Sequence, residues 1–344
     1  MTDDETGRVG RPAGRRGPRP ERRVAGLDEP VDPALFPDLA NRRAQGGVAR
    51  ARWEALLAEG GPLLADGAMG TMLFAAGLQS GDPPEAWNVK RADAVRAIHR
   101  AYLEAGSRIL LTNTFGGNRL RLAMHGLADR VTELDRAGAE ILRAEVDAAG
   151  GRALVAGDIG PSGAIMAPMG SLEHDEAVEV FAEQAAALVA GGVDVVWVET
   201  MSDLAEVKAA IEGVRRVAPG IPLVATMTFD TRGNTMMGVT PRQAAGALVA
   251  WGADALGGNC GNGPDELIPV VAAMREASPD AVLVAKPNAG VPVVEGARVV
   301  YRATPDAMAA DALLLRGAGA TFLGGCCGSS PAHLAAIAEA LREE

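Results

Sequence analysis

Three cysteines are the residues of this 344-residue chain whose type and spacing are best suited to chemistry. Cys326 and Cys327 are adjacent in the segment Gly-Gly-Cys-Cys-Gly, and Cys260 lies in the similar segment Gly-Gly-Asn-Cys-Gly. Each segment follows a short apolar run, which predicts that the thiols lie at the ends of two strands. A single free cysteine is usually a small buried apolar residue. A pair between glycines, with a third cysteine in a matching position, favours one metal site instead.

The predicted ligand set consists of three sulfurs, which suits Zn²⁺. Zinc binds thiolates in tetrahedral geometry, and a catalytic zinc keeps one position for a ligand from outside. A zinc with three thiolates is a weak Lewis acid towards water, but a thiol that binds to it is deprotonated. The substrate is therefore predicted to be a thiol that is held as a nucleophile at neutral pH, and the chemistry to be alkyl transfer onto sulfur.

Two other classes of protein also fit three cysteines. One is a zinc-binding sensor module without catalysis, in which a fourth ligand would close the site. The other is a hydrolase that uses zinc hydroxide, but such enzymes favour histidine and carboxylate ligands. The four histidines lie in helix-like or loop contexts away from the strand ends, so none is an obvious ligand. They are His99, His125, His174 and His333.

Further polar residues follow the ends of other apolar runs. Glu199 ends one such run and is predicted to be the counter-ion of a substrate ammonium group, with a salt bridge that closes the fold as the alternative. The backbone N–H groups of Gly67 and Ala68, next to Asp66, form a glycine-rich turn before a helix and are predicted to bind a carboxylate. An aspartate before glycine is also a common turn former. Asp158 is interpreted as a helix cap without chemistry.

The elements that must position these residues alternate regularly along the chain. Eight short apolar runs are separated by helix-patterned segments, and continuous apolar strands of this kind are typical of a closed parallel barrel. We predict an α/β fold, a (β/α)8 TIM barrel, in which all these polar residues meet at the C-terminal mouth. An open doubly wound sheet is the alternative, but the turn at residues 66–71 does not match G-x-G-x-x-G. The predicted strands are 62–65, 108–111, 153–156, 193–198, 222–227, 253–256, 281–285 and 320–323.

Composition divides the chain and excludes several functions. Residues 1–45 are rich in Arg, Pro and Gly and are predicted to be a disordered extension, whereas residues 46–344 are predicted to be one barrel domain. The net charge of −11 argues against binding to nucleic acid or anionic membranes. No apolar run approaches the ~20 residues of a membrane span, and three cysteines fit a reduced compartment. We therefore expect a cytoplasmic protein and leave a homo-oligomer open.

Several motifs together resemble the zinc-dependent homocysteine S-methyltransferases. This family includes betaine-homocysteine methyltransferases and the homocysteine module of cobalamin-dependent methionine synthase. The resemblance runs from about residue 56 to residue 341, with every motif in the family order. The motifs are Asp-Gly-Ala-Met-Gly-Thr at 66–71, Thr-Asn-Thr-Phe at 112–115, Glu-Thr at 199–200, Gly-Asn-Cys at 258–260, Lys-Pro-Asn-Ala-Gly at 286–290 and Gly-Gly-Cys-Cys-Gly at 324–328.

The resemblance implies a barrel fold and a role for each matching residue. Cys260, Cys326 and Cys327 match the zinc ligands of the family, and Glu199 matches the acid that holds the amino group of homocysteine. The turn Asp66-Gly67-Ala68 matches the part that receives the amino acid. Asn259, beside a zinc ligand, is expected to contribute a hydrogen bond to the site.

The implied reaction forms methionine by transfer of a methyl group from a small donor to zinc-bound homocysteine thiolate. Betaine is the favoured donor, and the alternatives are S-methylmethionine or a corrinoid protein with methyltetrahydrofolate. Quaternary ammonium groups are usually held by aromatic faces, so Phe74, Trp87 and Phe115 are predicted to bind the donor. The animal betaine enzymes have tyrosines where this chain has Gly116 and Thr200, so any aromatic cage would be built differently. Phe229 and Tyr301 are also expected near the mouth.

Overall fold

The computed structural model describes residues 39–296 and 298–343. The strands are β1 Leu63–Leu64, β2 Ile109–Leu111, β3 Leu154–Ile159, β4 Val195–Met201, β5 Leu223–Met227, β6 Ala255–Cys260, β7 Val282–Pro287, β8 Val293–Glu295, β9 Arg298–Val300 and β10 Phe322–Leu323. The helices are α1 Leu39–Ala58, α2 Met69–Ala75, α3 Trp87–Lys90, α4 Ala92–Glu104, α5 Arg119–Ala123, α6 Val131–Ala148, α7 His174–Ala190, α8 Leu204–Val217, α9 Pro241–Ala250, α10 Pro264–Ala277, α11 Pro305–Gly317 and α12 Pro331–Glu343. Two 3-10 helices cover Pro84–Ala86 and Ala128–Arg130.

Eight of these strands form one parallel sheet that curves into a barrel. Their order is β1-β10-β7-β6-β5-β4-β3-β2. The ends of this sheet meet through a parallel bridge between Ala65 and Ile109 and a 2.7 Å hydrogen bond from the Arg108 N–H to the Leu64 carbonyl. The predicted TIM barrel is confirmed, and each of the eight predicted strands corresponds to a strand of this sheet.

Side chains alternate between the inside and the outside of the barrel, as the period of a strand requires. In β3, Leu154 and Ala156 belong to the apolar cluster inside the barrel, whereas Val155 packs outwards against the helices. In β4, Val195 and Trp197 belong to the same interior cluster. The next inward positions towards the mouth are therefore polar on several strands: Asp158 on β3, Glu199 on β4, Thr226 on β5, Asn259 on β6 and Lys286 on β7.

Helix α1 covers the end of the barrel opposite the mouth. Trp53 is 2% exposed and belongs to the interior cluster, and its ring stacks on Phe322 of β10 with centroids 5.3 Å apart. Leu56 is buried one turn further along the same helix face. The helix before the first strand thus completes the apolar core at the lower end of the barrel.

Trp53→Leu is expected to lower the free energy of unfolding by about 2 kcal/mol. The leucine fills part of the volume but loses the stacked ring pair, so the cost stays below the ~3–5 kcal/mol of complete truncation to alanine. Urea denaturation followed by circular dichroism measures the change. Val48→Ala on the same helix, where the side chain is 65% exposed, is the control and should change little. Equal effects of the two substitutions would contradict the role given to α1.

Two segments lie outside what the sequence predicts for the barrel. A hairpin of β8 and β9 follows β7, with Val293 paired to Val300. Of the predicted disordered extension, residues 1–45, residues 1–38 lie outside the described residues and residues 39–45 form the start of α1. No helix among the described residues combines the length and the apolar character needed to cross a membrane.

Candidate metal centre and substrate site

The three cysteines meet at the mouth of the barrel. Cys260 is the last residue of β6, and Cys326 and Cys327 follow β10. Their sulfur atoms all lie within 4.8 Å of one another, and Cys260 Sγ is 2.7 Å from Cys326 Sγ. Three converging sulfurs form a soft donor set of the kind that holds zinc. The predicted convergence of the two cysteine segments is confirmed by this geometry.

The protein alone stabilises only one negative charge on the cluster. Hydrogen bonds donated by the Cys260 and Cys326 thiols, together with the Tyr301 hydroxyl, lower the pKa of Cys327 to about 3. The pKa of Cys326 is raised well above its usual range, because its proton is held between the other two sulfurs and the site is buried. A bound divalent cation would stabilise the other two sulfurs as thiolates, and the residues present fit such a metal.

Asn259 links β6 to β4 beneath the sulfurs. Its side-chain N–H group donates to Cys260 Sγ at 3.5 Å and to Cys326 Sγ at 3.9 Å, and also to Thr200 Oγ1 at 2.7 Å. Its carbonyl oxygen accepts hydrogen bonds from Thr226 Oγ1 and from the Thr200 N–H. All its polar atoms are thus used, so Asn259 orients two of the three sulfurs.

Two residues beside Asn259 have a left-handed backbone. Thr200 has φ of 63° and Cys260 has φ of 59°. This conformation is unfavourable for side chains with a Cβ, above all for β-branched threonine, and such strain persists where surrounding contacts require it. The hydrogen bonds of Asn259 to Thr200 supply such contacts at Thr200. The Cys260 sulfur lies 2.7 Å from Cys326 Sγ, in the pair that follows β10.

Tyr301 completes the surroundings of the cysteines from the segment after the hairpin. Its hydroxyl donates a hydrogen bond to Cys327, and burial with the nearby thiolate raises its pKa. A Cβ at Gly328 would lie 2.2 Å from Tyr301 Cβ, and Gly328 itself has φ of 83°. Only glycine therefore allows the tyrosine to reach the thiolate. The sequence places Tyr301 near the mouth but carries no sign of this contact.

Two inward carboxyl groups at the mouth each have an oxygen atom without a hydrogen-bond partner. Glu199 is 8% exposed and Asp158 is 5% exposed, and neither Glu199 Oε2 nor Asp158 Oδ1 has a hydrogen-bond partner. Burial raises the pKa of Glu199 to about 7, although the charge of Lys286 opposes the shift. Burial and then the charge of Glu199 raise the pKa of Asp158 well above its usual range. Because Asp158 lies within β3, its interpretation as a helix cap is wrong.

Asp66 is held by groups of the protein itself. Its carboxylate accepts hydrogen bonds from Lys286 Nζ at 2.8 Å and from the Leu111 N–H at 2.8 Å. The Ala68 N–H donates to Ser329 Oγ at 3.0 Å. Gly67 packs closely there, since a Cβ would lie 2.7 Å from the same hydroxyl. The turn at residues 66–68 is thereby fixed beside the cysteines, and its binding of an amino acid stays a prediction.

The three aromatic residues predicted to bind the donor do not form a cage. Phe74 is 55% exposed on α2, and Trp87 is buried in the outer apolar cluster with Arg91 over its ring at 4.9 Å. Phe115 packs against Gly160 at the end of β3, where a Cβ would lie 2.6 Å from the ring. No stacked or edge-on ring pair joins the three within residues 39–296. Their contact with a donor stays a prediction.

Fold and site together define an α/β barrel that presents a cluster of three thiols at its C-terminal mouth. The model of the homocysteine S-methyltransferase family matches residues 63–341. The chain therefore belongs to the homocysteine S-methyltransferase family, a family of methyltransferases.

Individual relatives agree with this assignment. The methionine synthases of Mycobacterium tuberculosis and Mycobacterium leprae are 35% and 34% identical in alignments of 293 residues that cover 81% of this chain. The chain spans 24% of the length of each. Among solved structures, the metallated form of the homocysteine methyltransferase MmuM from Escherichia coli is 26% identical with a TM-score of 0.66, over 83% of this chain and 98% of that one.

Proposed function

We propose that this chain transfers a methyl group from a small donor, with betaine favoured, to the sulfur of homocysteine and so forms methionine. The observation that carries the proposal is the pairing of three converging sulfurs with the buried, unpartnered carboxylate oxygen of Glu199 at one mouth. A thiol next to an ammonium group is the ligand that satisfies both. A sensor module would have no use for the open carboxylate.

Zinc is the metal that this ligand set fits, held by Cys260, Cys326 and Cys327. When bound, it supplies the means to keep an incoming thiol deprotonated at neutral pH. Asn259 and Tyr301 position the sulfurs by the hydrogen bonds described above. Glu199 binds and orients the ammonium group of the amino acid, so that its sulfur points towards the cluster.

The methyl transfer itself is a displacement at carbon. A lone pair of the homocysteine thiolate forms the new carbon–sulfur bond, and the bond from the methyl carbon to the donor nitrogen breaks with its electron pair left on nitrogen. Betaine becomes the neutral amine of dimethylglycine, and homocysteine becomes the thioether methionine. No proton is required by this step, and the barrel contributes alignment of the three reacting atoms.

A methyl donor carried by a corrinoid protein is a second candidate. The methionine synthase relatives are about four times longer than the matched part, which favours a reaction that involves further protein domains. Large apolar side chains also lie exposed on the segments that follow the barrel strands, around the mouth: Phe74, Met124, Ile165, Met169, Met236 and Val294. S-methylmethionine, a small molecule like betaine, is a third candidate donor.

One assay tests the proposal and separates these donors. Zinc-loaded protein is incubated with homocysteine and, in parallel, with betaine, S-methylmethionine, dimethylsulfoniopropionate or methylcobalamin, and methionine is measured. Methionine from betaine is the expected result. Methionine from methylcobalamin alone would favour the carrier protein, and no product from any donor would refute the proposed reaction.

Glu199→Gln is expected to raise the KM for homocysteine roughly 10- to 100-fold. The amide keeps the shape but loses a charge-assisted hydrogen bond to the substrate ammonium, which is worth about 1.5–3 kcal/mol. Steady-state kinetics with homocysteine as the varied substrate measures the change. Glu54→Gln, the same substitution at an exposed position on α1 at the far end of the barrel, is the matched control. Unchanged KM in Glu199→Gln would remove Glu199 from substrate binding.

A further inference from the structure

We propose that Asp158 forms a subsite for the positively charged, methyl-bearing atom of the donor, on the wall of the barrel that faces the cysteine cluster. The chemical class of ligand is a small onium compound, either a quaternary ammonium or a sulfonium. This inference rests on the proposed function, and it adds the residue that selects the donor.

The order of strands places Asp158 across from the sulfurs. Cys260 ends β6 and the Cys326–Cys327 pair follows β10, so the cluster lies on either side of β7. In a ring of eight strands β3 is four positions from β7 in both directions, which makes it the opposite wall. Asp158 points inwards from this strand, next to the end that forms the mouth.

The position of this wall matters because methyl transfer is a displacement at carbon. The attacking sulfur, the methyl carbon and the leaving atom must lie in line, with the leaving atom on the far side of the methyl group. A sulfur held at the cluster therefore directs the leaving nitrogen or sulfur of the donor towards the wall of β3. A carboxyl group at that point faces the positive charge of the donor.

Asp158 is free to make this contact, whereas most of its polar neighbours are occupied. Asp66 is bound by Lys286 and by a backbone N–H, and Asn259 uses all its polar atoms. Asp158 Oδ1 is buried without a partner in a side chain that is 5% exposed. Glu199, on the neighbouring strand, is already assigned to the ammonium group of homocysteine. A second buried carboxyl group with an open oxygen calls for a second cation.

The charge of the site favours the same class of donor. Three thiolates around a divalent ion carry a net negative charge, and a bound homocysteine thiolate adds to it. A donor with a positive onium group compensates this negative charge when it binds. After methyl transfer, neither product carries the onium charge that attracted the donor. Burial and then the charge of Glu199 raise the pKa of Asp158, and a bound cation opposes this shift because it stabilises the ionised carboxylate.

Recognition by a carboxylate also explains how the site can bind an onium group without an aromatic cage. The ring of Phe115 lies against Gly160, two residues beyond Asp158. The face of Trp197 is covered by the Lys286 ammonium at 5.3 Å. Within the described residues, the acid on β3 is thus the group that can face the positive charge.

The test compares Asp158→Asn with Asp280→Asn, the same substitution at an exposed position at the far end of the barrel. Binding of betaine to zinc-loaded protein with homocysteine is measured by rapid-mixing kinetics and, with the product methionine in place of homocysteine, by calorimetry. The uncharged analogue 3,3-dimethylbutanoate, which has the shape of betaine, is measured in parallel. Dimethylsulfoniopropionate replaces betaine in a second arm and separates sulfonium from ammonium donors.

We expect Asp158→Asn to weaken betaine binding and raise its KM at least about tenfold, with less than a twofold change for homocysteine, for zinc content and for 3,3-dimethylbutanoate. Unchanged KM for both onium donors, or an equal loss for the uncharged analogue, would overturn the subsite. Asp158→Ser gives the same comparison if the asparagine variant does not fold. Betaine binding that depends on Asp158 without methionine formation would support the subsite and refute the reaction. Methionine formation by Asp158→Asn with an unchanged KM for betaine would support the reaction and refute the subsite.

Discussion

Cys326→Ser is expected to abolish metal binding and to lower the rate of methyl transfer by about three orders of magnitude or more. The Cys326 sulfur lies 2.7 Å from Cys260 Sγ and receives a hydrogen bond from Asn259. Serine keeps the size of the side chain, but its hydroxyl is a poor zinc ligand and two sulfurs do not hold the ion in a catalytic geometry. Loss of several kcal/mol of metal-dependent activation corresponds to this change in rate.

The measurement is zinc content by elemental mass spectrometry together with methionine formation. Wild-type protein should hold close to one zinc per chain and Cys326→Ser almost none. Met169→Ser is the matched control, because it introduces the same hydroxyl at a side chain that is 74% exposed on the same side of the barrel. A Cys326→Ser protein that keeps its zinc and its activity would show that the cluster is not the metal centre.

Much of the barrel can be predicted from the sequence because its signals are local. Continuous apolar runs mark the strands, and a residue such as Thr240 before Pro241 marks a helix start, where the structure has a capping box with Gln243. The hairpin of β8 and β9 escapes prediction for a physical reason. Val293 and Val294 are both exposed, so the strands are held by their own ladder of hydrogen bonds and show no alternation of buried and exposed residues.

The site is predictable where a strand end carries a distinctive residue type and not where distant residues pair. The cysteines and Glu199 each follow an apolar run, and the barrel brings such ends together. Lys286 meets Asp66 across 220 positions of sequence, and nothing in either segment indicates the partner. Asp158 is an intermediate case. Its alternation with Leu154 and Ala156 points it into the barrel, but the sequence predicts that the strand ends at residue 156, and the structure extends it to Ile159.

Lys286→Met is expected to lower the free energy of unfolding by about 3–5 kcal/mol. Lys286 Nζ and Asp66 Oδ1 lie 2.8 Å apart, and both side chains are 3% exposed. Burial alone would lower the pKa of Lys286, but the charges of Asp66 and Glu199 raise it above its usual value, so the ammonium stays ionised. Methionine fills the space above Trp197 but leaves the Asp66 carboxylate buried without a counter-ion, and that loss is of this size.

The pH dependence of this loss separates a charge effect from a packing effect. Burial raises the folded-state pKa of Asp66 above its usual value even though Lys286 opposes the shift, and without the ammonium this pKa would rise further. The folded variant would then bind this proton more tightly than the folded wild type, so the penalty relative to the wild type should be absent below the folded-state pKa of wild-type Asp66 and grow as the pH rises towards that of the variant. Urea denaturation of Lys286→Met between acidic and neutral pH measures this slope. The double variant Lys286→Met with Asp66→Asn should regain part of the stability and lose the slope that comes from Asp66. A loss that is the same at every pH would instead assign the effect to packing against Trp197.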